Sequence, residues 1–136
     1  LNLKNIEVSF FAKPEIHIAS NFSRTSCEYN AVMGHEKEHI RIMLKFLREY
    51  SPNIRREIHN IANEMKTYRG PIPKSQVEQA QNEIQQEFLR RLQAYYDRLM
   101  PILVKRQNAF DSPAEYRRVA NMCKGWGKKL SNQGNR

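Results

Sequence analysis

The sequence is poor in the residues that turn, cross-link or span. Five glycines and six prolines in 136 residues leave few sharp turns, which fits long helices. No run of eighteen apolar residues occurs, so no segment reads as a membrane-spanning helix. Two cysteines, Cys27 and Cys123, exclude a four-cysteine zinc site and allow one disulfide at most. Neither an internal repeat nor a low-complexity stretch is visible. The chain opens at Leu1, without methionine or a basic-then-apolar leader. It is expected to be a processed product or a trimmed chain, and the missing leader carries no information about location.

What is there is a charged, globular composition, 40% apolar and 27% charged, suited to one domain over residues 1–136. Net charge is +9, from 23 basic and 14 acidic residues, and points to an acidic partner: a phosphate polymer, an anionic envelope surface or an acidic protein. In "REYSPNIRRE" and "EFLRRLQAYYDR" acids interleave with bases at helical spacing, the pattern of a solvated helix face. The segment 124–136, within "CKGWGKKLSNQGNR", is more one-sidedly basic and is expected to be flexible. No nucleic-acid recognition motif is present, and "KGWGKK" is the sole aromatic-basic cluster.

"LNLKNIEVSFF" alternates apolar and polar residues and predicts a strand over about 3–11; after Lys13-Pro14, "EIHIASNF" predicts a second over about 15–22. Thr25 or Ser26 caps an expected helix from about 27 to 50, with Glu28 in its first turn. Ser51-Pro52 should stop it and start another, carrying Ile54, Ile58, Ile61 and Met65 on one stripe. A long helical pattern runs from Ser75 to about Asn108, and Pro101 should kink or split it. Asp111 or Ser112 then caps a last helix, with Pro113 at its first position and Glu115 in its first turn. The expected class is α+β: a mostly helical domain with a small N-terminal sheet or hairpin and a long kinked helix.

The chemistry concentrates in "GHEKEH". On a helix, residues four apart lie about 40° apart and one turn along, so His35 and His39 can reach one zinc ion together. Glu36, rotated about 100° from His35, lies beside the metal rather than on it. There a carboxylate can take a proton from zinc-bound water and pass it to a leaving amine. Val32, Met43 and Phe46 flank the histidines, which places them against the interior or a cleft. The opposing reading is two ordinary histidines beside an ionic network of Glu36, Glu38, Arg41 and Lys45.

Two protein ligands hold zinc too loosely, so a third is needed. The candidates are His17, His59 and a carboxylate from a distant helix, with Glu115 the most attractive. Glu115 is equally an ordinary first-turn acid, answering the helix dipole or completing a capping box with Ser112. A Cys27–Cys123 bond would bring the two helices together and imply an oxidising compartment; two separate buried thiols are the alternative. Tyr116 or Tyr29 could serve as oxyanion donor, against a packing role for each.

"HEKEH" on a helix, after a short edge-like strand, resembles the zincin metallopeptidases. With Glu115 as third ligand it is similar to the gluzincin set of His, His and Glu. "SCEYNAVMGHEKEH" with "NAFDSPAEY" also loosely resembles small bacterial zinc-protease-like proteins of unknown function. The resemblance covers about a quarter of the chain, the motif helix and the strand before it. It implies a Zn2+ hydrolase with His35 and His39 as ligands, Glu36 as general base and "EIHIASNF" as the strand that pairs with an extended peptide. The expected substrate is a peptide or protein, envelope-associated, for an exported (periplasmic or secreted) enzyme. The competing expectations are a non-catalytic helical module that binds an acidic partner, with structural or no zinc, and a zincin that keeps its metal and has lost turnover.

Overall fold

The structure, a computed structural model, describes Leu1 and residues 3–126. It comprises α1 (Cys27–Glu64), a 3-10 turn (Lys74–Gln76), α2 (Val77–Phe110) and α3 (Pro113–Asn121). The α+β expectation is overturned: among the described residues there is no strand, only an isolated bridge at Tyr68. Leu1 and Arg69 exchange backbone hydrogen bonds there, and Leu3 donates to Thr67. Neither predicted strand, 3–11 or 15–22, forms a ladder, and the second ends in a turn where the Phe22 N–H donates to the Ala19 carbonyl at 3.2 Å. Alternation survives as burial only in the second, where Ile16 and Ile18 are half-buried between exposed Glu15, His17 and Ala19; in the first, Ile6 and Phe10 are exposed along with their neighbours. Period-two burial needs only an apolar surface beneath the chain; a sheet also needs a second strand within hydrogen-bonding reach.

The expected break at Ser51-Pro52 is also corrected, because α1 continues through Pro52. Proline there removes the N–H that would meet the Arg48 carbonyl and strains the preceding turn. The buried stripe after it, Ile54, Ile61 and Met65, outweighs that cost. Pro101 likewise sits inside α2, which remains one element.

The chain divides into two compact units, Leu1–Phe11 with Leu47–Ile102, and Ala12–Phe46 with Leu103–Arg136. In the first, Ile61, Met65, Ile84 and Phe88 form the core, and Leu1, Leu3 and Val8 of the extended N-terminal segment pack against it. Charged residues on its surface pair at helical spacing, as Arg90 and Arg91 do with Glu87.

In the second unit Ser26 caps α1, its hydroxyl accepting from the Tyr29 N–H at 3.1 Å. Ala31, Val119, Cys123 and Trp126 form a core cluster joined by Phe22, whose ring meets Trp126 edge-on at 5.8 Å. Cys27 and Cys123 are disulfide-bonded, tying residue 27 to a position 96 residues later. Gly125, at φ 75°, adopts the left-handed turn that brings Trp126 back into this cluster. Of the basic segment 124–136, residues 127–136 lie outside the described residues.

Candidate metal centre

All residues of the site belong to the second unit. Residues 27–46 of α1 contribute His35 and His39, one turn apart; the end of α2 contributes Gln107 and Phe110. Asp111 lies in the two-residue link to α3, and Glu115 in the first turn of α3. Ser112 is the N-cap of α3, its side chain accepting from the Glu115 N–H at 3.1 Å, and Pro113 follows in the first turn. Asp111 and Glu115 are thereby held on opposite sides of the cap. The Glu115 carboxylate is not spent on a capping box; it is turned to His35 and to Arg118.

His35 is 7% exposed, the one buried polar side chain among the described residues. Its Nδ1 lies 3.1 Å from Glu115 Oε1. Arg118 donates twice to the same carboxylate, at 2.7 and 2.6 Å. These Arg118 bonds hold the Glu115 pKa at about 2, against burial pushing it up and with His35 adding to the fall. An ionised carboxylate only accepts, so the His35 proton sits on Nδ1. His39 is clamped by Gln107, whose amide nitrogen donates to the His39 carbonyl at 3.0 Å. The Gln107 oxygen is therefore turned to His39 Nδ1, which must carry that ring's proton. Burial works to lower the His39 pKa; the Gln107 bond and the Asp111 carboxylate outweigh it, and the net shift is upward.

With both Nδ1 atoms committed as donors, each ring in its neutral form turns a lone pair outward at Nε2. The two Nε2 atoms are 3.2 Å apart, and Asp111 Oδ1 lies 3.1 Å from that of His35 and 2.8 Å from that of His39. Three acceptors at this spacing repel unless a cation, proton or metal, lies among them. Ligands about 2.0–2.1 Å from a metal stand roughly 3.3 Å apart in a tetrahedron and 2.9 Å in an octahedron. The observed separations match that range, so His35, His39 and Asp111 could hold one metal ion.

Phe110 walls the site, stacked on the His35 ring at 4.8 Å and edge-on to His39 at 5.0 Å. Glu36, beside the triad on α1, is half-buried and makes no hydrogen bond or ion pair among the described residues; its charge acts on His39. Tyr116 is 57% exposed, with its ring 6.0 Å from that of His35. Tyr29 takes no part in these contacts.

Of the expected third ligands, none reaches the Nε2 face. Glu115 meets His35 on its other nitrogen. His17 is exposed and bonds Glu15 at 3.2 Å. His59 is exposed and belongs to the first unit. Sequence reasoning named Asp111 only as a cap and missed Gln107, Phe110 and Arg118. A signal existed: Gln107, Asp111 and Glu115 recur every four residues, the same interval that separates His35 from His39. Concavities of about 860 and 560 Å³ are lined by residues of the first unit, and none of the triad lines them. The site is defined by its donor set rather than by a deep pocket. Comparison of the chain with protein-family models, curated proteins and solved structures finds no match.

Proposed function

We propose that this protein is a zinc-dependent hydrolase of the peptidase type, with His35, His39 and Asp111 as ligands and Glu36 as general base. The observation that carries the reading is the convergence of two Nε2 lone pairs and a carboxylate oxygen, with each Nδ1 fixed by its own acceptor. Asp111 takes the place given to Glu115 by the likeness to gluzincins; Glu115 orients His35, as Gln107 orients His39. Zinc in such a set supplies Lewis acidity, lowering the pKa of a coordinated water towards about 7 and polarising a carbonyl. Glu36 is the nearby carboxylate that no hydrogen bond occupies among the described residues, which suits it to take up a proton and release it to a leaving group.

A second reading has one observation in its favour. The metal would join α1 to the link before α3, and the disulfide joins α1 to the residues just after α3, so zinc could be a second structural staple. Glu36→Gln separates the two. In the hydrolase it retains one zinc per chain and loses about 100-fold or more of its turnover of a broad peptide pool. Retained zinc with unchanged turnover, or with none in the parent protein, leaves the staple. A parent protein that binds no zinc sinks both.

A further inference from the structure

The first unit holds a groove of about 860 Å³ between the extended N-terminal segment and α1. Its floor is apolar: Ile54, Ile58 and Ala62 of α1 face Leu3 and Val8. Along its rim Ser51, Arg55 and His59 recur every four residues, one per helical turn. The same three side chains, with Pro52 and Arg56, line an adjoining hollow of about 450 Å³. Arg41, Arg90, Arg91, Arg98 and Arg118 each pair with a glutamate. Arg55 and His59 make no hydrogen bond or ion pair among the described residues. On the opposite wall Lys4 and Glu7 contribute one charge of each sign, so Arg55 leaves the groove cationic on one side.

We propose that this groove binds a single-chain amphiphile with an anionic head, of the fatty-acid class. The chain would lie on the floor and the carboxylate against Arg55, whose fork matches two carboxylate oxygens, with Ser51 and His59 as further partners. The volume falls within the roughly 300–1,000 Å³ usual for small-molecule sites. A flat bilayer would meet the rim charges but not Ile54, which is 6% exposed at the bottom. That geometry favours a free chain over a membrane surface.

Calorimetric titration of the whole protein with sodium laurate, below its critical micelle concentration, tests this. One laurate per chain is expected to bind, with octanoate at least tenfold weaker as buried methylenes are lost. Dodecyltrimethylammonium, the same chain with a cationic head, should bind at least tenfold more weakly than laurate. Arg55 is exposed, so Arg55→Glu should keep the helical circular dichroism and lose at least tenfold in laurate affinity; Arg55→Lys, which keeps the charge but not the fork, should lose less than Arg55→Glu. Equal binding of the cationic amphiphile, or unchanged laurate affinity in folded Arg55→Glu, overturns the proposal. So does binding to phosphatidylglycerol vesicles without binding to monomeric laurate. No residue of the metal centre lines the groove, so either proposal can fail without the other.

Discussion

Glu115 accepts from His35 Nδ1 while Asp111 meets both Nε2 atoms, so removing one should not mimic removing the other. Asp111→Ala is expected to cost at least about 100-fold in zinc affinity, and Glu115→Gln about 10–100-fold, since it loosens a ligand without deleting one. A chelator-competition titration gives both numbers. Metal retained in Asp111→Ala and lost in Glu115→Gln would return the third position to Glu115. Glu115 also fixes a pH dependence. Its folded pKa of about 2 lies below the ordinary carboxylate value of 4.5, so it contributes stability above pH 4.5. That contribution fades as pH falls from there towards 2. In metal-free protein the urea midpoint should exceed that of Glu115→Gln at pH 6, and the gap should close by about pH 2. A gap that widens on acidification would mean that the carboxylate is not held ionised by Arg118 and His35. The Nε2 pair at this scale was legible in "HEKEH". The choice of Asp111 over Glu115 was not, because which carboxylate meets which nitrogen depends on where the α3 cap turns the chain.

At the scale of elements, patterning foretold helices better than their ends. The stripe Ile54, Ile61 and Met65 is buried as its spacing requires, and the last helix starts at Pro113 behind Ser112. Pro52 misled because a local cost was read without the packing set against it. The residue is exposed and its ring blocks one helical hydrogen bond, so Pro52→Ala should restore that bond. The expected gain is about 1–2 kcal/mol, less than the ~3 kcal/mol intrinsic cost of a mid-helix proline because proline also restricts the unfolded chain. Chemical denaturation measures it; a loss of stability would show that α1 depends on its proline. The N-terminal stretch fails as a strand for a different reason. Alternation reports one buried face and says nothing of the neighbour that a ladder needs.

On the scale of the whole molecule, the disulfide joins the start of α1 to the residues after α3, and a metal held by His35, His39 and Asp111 would add a second cross-link within the same unit. Closing a loop of this length stabilises by about 4–5 kcal/mol in the chain-entropy account. Reduction with a phosphine that does not chelate should therefore lower the urea midpoint and weaken zinc binding together. Unfolding followed through Trp126, packed beside Cys123, would report the first. Zinc affinity unchanged by reduction would show that the α3 cap alone holds Asp111 in place. No helix among the described residues is long and apolar enough to cross a membrane, as the missing apolar run implied.

The sequence by itself determined the helical character, the pairing of His35 with His39 and the capped start of α3. Each depends on residues within a turn or two of one another, where spacing and side-chain chemistry suffice. Only the tertiary structure decided that Asp111 closes the triad, that Gln107 and Glu115 set the two tautomers, and that Leu1, Leu3 and Val8 pack on helices instead of in a sheet. Those outcomes join residues some 70 to 80 positions apart, and the distance between such residues is set by packing, which no local pattern encodes.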